Sequence, residues 1–213
     1  MHMHTLFSDG ELIPAELARR VEVMGHRYIA ITDHADQSNV EHIVESIVRF
    51  CADDKHKVKV LPGAEITHVT PGKIADVINR ARRAGAKIVV VHGETIVEPV
   101  EKGTNDAAID AGANILAHPG MITPETAARA AKAGVYLELT ARAGHGYTNG
   151  HVARIALEAG AAMVFNTDSH APRDLVDRER AIQIIMAAGL SFLQAQEVLA
   201  NSQKLVEACS GSL

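Results

Sequence analysis

Two histidines stand one residue apart in the opening stretch "MHMHTLFSDG". On an extended segment, side chains at i and i+2 point the same way. His2 and His4 would then present two imidazoles side by side, one edge of a metal site. The other edges have to come from elsewhere, and suitable residues recur along the chain. They are Asp9; Asp33 and His34 in "ITDH"; Glu65 in "PGAEIT"; His92 and Glu94 in "VVHGE"; His118 in "LAHPG"; Glu138 in "LELT"; and Asp168 and His170 in "NTDSH". Imidazole with carboxylate oxygen is the ligand set of zinc, manganese or iron, not of magnesium or calcium alone. The expected cofactor is a divalent ion of one of these transition metals, or more than one.

The segments that must bring these residues together show a weak repeat. "RAGAK", "DAGAN", "KAGVY" and "EAGAA" each follow a helix-like stretch and precede an apolar run. Gly85, Gly112, Gly134 and Gly160 occupy the place of the left-handed stop after a helix. The apolar runs are "KIVVV", "NILA", "VYLEL" and "AMVFN", with "MGHRYIAIT" and "KHKVKVLPG" as two earlier units. Between them lie helical faces: Leu17, Val21 and Met24, then Ile43, Ile47 and Phe50, at i, i+4 and i+7. Counting the first residues as a strand, about seven helix–strand units read as a distorted (β/α)7 barrel of parallel strands. The C-terminal strand ends of such a barrel converge on one face, where active sites sit. Counting the chain start as a strand, these polar residues fall at or near strand ends, so six histidines and several carboxylates meet in one bowl.

The bulk properties agree with one barrel domain over residues 1–213. The hydrophobic content is 47% and the core must be aliphatic, since Trp is absent. Met163 and Met186 are expected in that core. The net charge of −5 argues against a general nucleic-acid binder. Cys51 and Cys209 form no CxxC motif and fit a reducing compartment. No signal or membrane-spanning pattern is evident, so a cytoplasmic enzyme with no membrane partner is the expectation.

In order, "HMHTLFSDG", "ITDHAD", "GAEIT", "VVHGE", "LAHPG" and "NTDSHAP" resemble the PHP family, named for polymerase and histidinol phosphatase. The resemblance implies phosphoester hydrolysis at a two- or three-metal centre. It places His2, His4, Glu65 and Asp168 on one metal, and Glu65, bridging, with His92 and His118 on a second. Asp9, His34 and His170 would hold a third, with Asp9 standing where some members carry His. With only Met1 before the HxH pair, the first strand should be short and His2 loosely held.

Other residues have roles outside the ligand set. Asp33 should orient a ligating histidine, as such residues need a partner. Glu94 is either a proton-transfer group or a solvated carboxylate, and Glu138 either lines the bowl or bonds within the barrel. Arg142 and His145, in the Gly-rich stretch "TARAGHGYTNGH" after the sixth strand, are placed to contact substrate. A guanidinium grips phosphate bidentately, and His145 or Glu94 could protonate a leaving group. His26, His42, His56, His68 and His151 are left as surface or supporting residues.

Three divalent ions against Asp9, Glu65 and Asp168 would leave the bowl at about +3, which favours an anionic substrate. Glu65 and Asp168 thus head the catalytic set. A small phosphorylated metabolite is the preferred partner. Nucleic acid is the alternative, less favoured because a nuclease should show a basic track with stacking aromatics, and the chain has three Tyr and four Phe. A non-catalytic barrel of the same kind is the third reading, disfavoured by a ligand set with every position filled.

Overall fold

The computed structural model describes residues 1–210. Helices and strands alternate: α1 (Pro14–Val23), β1 (Tyr28–Ile31), the two-residue β2 (His34–Ala35), α2 (Val40–Asp53), β3 (Lys59–Ile66), α3 (Pro71–Arg83) and β4 (Ile88–His92). There follow α4 (Thr104–Asp110), β5 (Ile115–Ala117), α5 (Pro124–Ala133), β6 (Tyr136–Thr140), α6 (Asn149–Ala159), β7 (Met163–Asn166), α7 (Arg178–Ala187) and α8 (Phe192–Ser210). All strand pairs are parallel, in the order β1-β3-β4-β5-β6-β7, with β2 continuing β1's course along β3.

The sheet curls into a distorted (β/α) barrel, and the chain start closes the gap between its edges. Residues 1–5 are not a regular strand. They form one parallel bridge, Met3 to Ser169. The His4 amide donates to the Ser169 carbonyl, Asp168 donates to the His2 carbonyl, and Thr32 donates to the Met3 carbonyl. The segment is thus laced to the end of β7 on one side and the end of β1 on the other. Counting it, seven strand positions surround the barrel. The expectation of a loosely held His2 is corrected: its side chain is fully buried, because both neighbouring strand ends and Glu138 hold it.

Pro opens α1, α3 and α5 at the first turn, where its missing N–H costs nothing. Gly134 and Gly160 end α5 and α6 in the left-handed region, at φ 72° and 68°. Aliphatic side chains pack the helices against the outside of the sheet. A second cluster fills the barrel's lower interior: Ala30, Leu61, Ile88, Val90, Ile115 and Val164, plugged by Leu205 and Val206 of α8. That plug leaves the opposite end, at the C-terminal strand ends, as the open one. Met163 lies in the core, but Met186 on α7 is 43% exposed, contrary to expectation, because α7 packs through Ala181 and Ile185 instead. Among the described residues, no helix is long and apolar enough to cross a membrane.

Candidate metal centre

Every strand position delivers at least one donor to the open end of the barrel. Glu65, fully buried near the end of β3, is the central one. Its Oε1 lies 3.2 Å from His2 Nε2 and 3.8 Å from His118 Nε2. Its Oε2 lies 2.8 Å from His34 Nδ1 and 3.5 Å from His4 Nε2. One carboxylate therefore faces four histidines from three parts of the chain.

Around it the donors fall into groups whose ligand atoms lie within 4.8 Å of one another. His2, His4 and Asp168 form the first, with Asp168 Oδ1 at 3.2 Å from His4 Nε2 and 3.6 Å from His2 Nε2. His92 and His118 form the second, joined by His145. Asp9, His34 and His170 form the third, joined by His4; Asp9 Oδ1 stands 3.3 Å from His170 Nε2 and 3.5 Å from His34 Nε2. These groups bring together the side chains that the family resemblance implies for each metal, apart from Glu65, which stands between them, and with His145 and a shared His4 added; His2, His118 and Glu138 form a fourth group.

The donor set fits metal ions. His2 Nε2, both ring nitrogens of His4, both oxygens of Glu65, His118 Nε2 and Asp168 Oδ1 are buried with no hydrogen-bond partner among the described residues. Each such atom costs about 1–3 kcal/mol if left unsatisfied, so a fold that gathers this many in one place has room for cations to satisfy them. The backbone is strained at the same points: His118 and Asp168 take positive φ, 28° and 47°, which non-glycine residues rarely adopt.

Glu138, on β6, is fully buried beneath these rings. Its Oε1 accepts from His2 Nδ1 and from the Asn166 amide, each at 2.8 Å. Its Oε2 accepts from His118 Nδ1 at 3.1 Å and from the His118 backbone N–H at 3.2 Å. Burial alone would raise its pKa, but His2 and His118 hold it down at about 2. A carboxylate that fixes Nδ1–H on two rings leaves both Nε2 lone pairs facing the bowl, the usual arrangement behind metal-ligating histidine. Glu138 both lines the bowl and bonds within it, which joins the two readings open from the sequence.

Asp33 and Glu94 differ from expectation. Asp33 Oδ1 accepts from the Thr5 amide at 2.6 Å and the Ser8 hydroxyl at 2.7 Å, and Oδ2 accepts from the Thr5 hydroxyl. It therefore anchors the backbone between His4 and Asp9 rather than an imidazole. Glu94 Oε1 accepts from the backbone N–H groups of Gly103 and Asn105. Those are unpaired donors at the start of α4, so Glu94 ties down the β4–α4 loop. That engagement corrects the reading of Glu94 as a proton-transfer residue.

Arg142 and His145 separate. Arg142 donates to Asp174 Oδ2 at 3.3 Å, an oxygen that also accepts from the backbone N–H groups of His170 and Ala171. Its guanidinium thus braces the loop carrying His170 instead of standing free over the bowl. His145 is buried, stacked on His118 with centroids 4.1 Å apart. Burial pushes its pKa down to about 4, so it is neutral at pH 7 and carries no imidazolium proton to give. Glu98, not singled out from the sequence, faces His68, His92 and His145 at 3.2–3.3 Å. It lies in the loop "GETIVEPVEKG" with no motif to mark it.

The fold and site define a parallel β/α barrel whose open end is a bowl of histidine and carboxylate donors. The PHP domain model matches residues 1–171, and the chain belongs to that family. It is 47% identical over 208 residues to "Uncharacterized protein MJ1295" of Methanocaldococcus jannaschii, covering 95% of each chain. Among solved structures it is similar to a chain in the cryo-EM structure of archaeal ribonuclease P with mature tRNA: TM-score 0.73, 15% identity, 98% of this chain and 90% of that one. It is also similar to histidinol phosphate phosphatase of Lactococcus lactis subsp. lactis, solved with zinc, L-histidinol and phosphate: TM-score 0.65, 18% identity, 89% of this chain and 93% of that one. At these identities the structural likenesses establish the fold alone.

Proposed function

We propose that this protein is a metal-dependent phosphoesterase that hydrolyses a small phosphomonoester, with two or three manganese, iron or zinc ions as cofactor. The observation that carries the reading is the bowl itself: three donor groups, each with a histidine facing Glu65, and orphaned buried donor atoms converging between them. His2, His4 and Asp168 would hold one ion, His92 and His118 a second, and Asp9, His34 and His170 a third, with Glu65 between them. Ions bound there would lower the pKa of water to about 7 and stabilise charge on phosphoryl oxygens.

The chain's own residues prepare that chemistry. Glu138 fixes the rings of His2 and His118, and Asp33 fixes the segment leading to Asp9. Asp168 keeps its negative charge: burial works against it, but His2 and His4 hold its pKa far below the ordinary carboxylate range. Glu98 and Glu138 add two carboxylates to the three counted from the sequence, so the loaded bowl carries about +1 rather than +3. Anion preference then rests on open positions at the metals more than on surplus charge.

A small substrate is favoured over nucleic acid by the loops around the bowl. Arg142 pairs with Asp174, and Arg173 pairs with Glu11, so these cations are not aligned as a backbone track. The likeness to histidinol phosphate phosphatase supports a phosphomonoester, while the ribonuclease P likeness keeps a nucleic-acid or non-catalytic role as the second reading. The test is metal-reconstituted protein assayed on L-histidinol phosphate, other phosphorylated metabolites, a phosphodiester and a 5′-phosphorylated oligonucleotide. A monoester should give the highest kcat/KM, lost on chelation. A better oligonucleotide substrate would establish the nuclease reading; no turnover at full metal occupancy would establish the non-catalytic one.

A further inference from the structure

We propose that His145 is itself a ligand of the second metal, and that Glu98, from the β4–α4 loop, caps that metal's solvent side. This rests on reading the bowl as a metal centre and adds to the donors that the sequence pattern assigns.

Three imidazoles meet at this point: His92 from the end of β4, His118 from the end of β5 and His145 from the turn after β6, with donor atoms within 4.8 Å of one another. Each ring is held the same way. His92 Nδ1 faces the Gly93 carbonyl at 3.2 Å, His118 Nδ1 faces Glu138 at 3.1 Å, and His145 Nδ1 faces the Thr95 hydroxyl at 2.8 Å. With an oxygen at every Nδ1, a metal at Nε2 would select the tautomer bearing hydrogen at Nδ1 on all three rings, and Glu98, which faces Nε2 of His92 and His145, would then meet the ion. That is the disposition of three ligating histidines, and His145 is not distinguishable in it from the other two. His118 Nε2 is buried without a hydrogen-bond partner among the described residues.

The Glu98 carboxylate closes the remaining side. Oε1 lies 3.3 Å from His145 Nε2, and Oε2 lies 3.2 Å from His92 Nε2. His68 Nε2 approaches the same Oε2 from outside, at 3.2 Å. Glu98 is 38% exposed at its side chain, unlike the buried Glu65 on the opposite side, so it is the ligand a substrate oxygen could displace. The loop that carries it is pinned by Glu94 through Gly103 and Asn105. Thr95 and Glu98 thus come from one loop: one orients His145 and the other covers the metal.

The experiment is cobalt(II) loading of the chelator-treated chain. Bound equivalents are measured after desalting, affinity by chelator competition, and coordination by the visible d–d spectrum. Wild type should bind two or three equivalents. His145→Ala, checked for folding by circular dichroism, should bind one fewer, with the others held at wild-type affinity. Thr95→Val keeps the ring but removes its Nδ1 partner, and should weaken one equivalent by about 10–100-fold. Glu98→Gln should keep the stoichiometry, weaken the same equivalent and change the d–d spectrum. Unchanged equivalents and affinities in both His145→Ala and Thr95→Val would overturn the ligand assignment. An unchanged spectrum and affinity in Glu98→Gln would overturn the cap. If His145→Ala fails to fold, Thr95→Val decides. A wild-type chain that binds no cobalt would overturn the metal-centre reading instead.

Discussion

At the floor of the bowl His2, His4, Glu65 and His118 are each at most 2% exposed, whereas at the rim the Asp9 side chain is 56% exposed and that of His34 28%. The residue types are the same, but their support differs. Two floor histidines, His2 and His118, are fixed from behind by a buried carboxylate, Glu138, and their Nε2 atoms, like both ring nitrogens of His4, lack hydrogen-bond partners among the described residues. The rim donors Asp9 and His170 sit on loops held by Asp33 and Asp174, which grip backbone N–H groups rather than the metal-facing side chains, and His34 stands on the two-residue β2 at the sheet's edge. Preorganised, desolvated donors bind ions tightly; exposed, loop-borne donors bind with exchange. The two zones should therefore behave as a resident pair of metal positions and a labile third.

The largest effect is expected where the zones join. Glu65→Gln removes the carboxylate that faces both, and should cost at least two metal equivalents by elemental analysis and at least about 1000-fold in hydrolysis. Near-normal metal content in this variant would show that the zones are independent.

Glu138→Gln comes next and acts on the floor alone. An amide would set an N–H₂ group against a ring N–H or the His118 amide, so affinity at the floor should fall by about 10–100-fold while the rim equivalent stays. Equal weakening of all equivalents would erase the distinction between floor and rim.

The pH response should carry the same signature. Burial disfavours the charged form of His2, but Glu65, Glu138 and Asp168 outweigh it and raise its pKa well above the ordinary value. For His34, burial is likewise outweighed, chiefly by Glu65, and the pKa is raised. Both rings hold a proton more tightly than a free imidazole in the metal-free protein and must give it up to ligate. Metal addition should therefore release protons, and affinity should fall as pH drops, starting above the ordinary imidazole value of about 6.5. His4, pushed down to about 4 by burial, has no proton to release. Indicator titration in weak buffer checks this, and metal uptake without proton release at pH 7 would contradict it.

Smaller effects belong to the rim. Asp9→Asn should remove only the labile equivalent and leave the floor loaded, as read by equilibrium dialysis. Arg142→Ala breaks a partly exposed ion pair worth about 0–1 kcal/mol, so it should change KM for a monoester by no more than about fivefold. A tenfold or greater rise in KM with metal content unchanged would restore Arg142 as a phosphate grip.

The donors gathered at the open end were legible because barrel topology turns local order into spatial order: a polar residue directly after an apolar run must surface at the open end. Glu65, His92, His118 and Asp168 follow from that rule, while His2 and His4 were marked by their alternating spacing instead. Partners joined across loops obey no such rule. Glu98 reaches His92 and His145 through a loop of unremarkable composition, and His145 turns inward from a Gly-rich stretch that reads equally well as a lid. Glu94 and Arg142 have types suited to chemistry, yet backbone N–H groups and Asp174 occupy them. Their side chains are long enough to reach several partners, and only the packed structure chooses among them. Strand patterning and donor identity, then, were set by the amino-acid sequence alone. The tautomers of the rings, the double role of Glu138 and the closure of the barrel by residues 1–5 were decided by tertiary contacts, because each depends on an atom from a distant segment arriving within hydrogen-bond distance.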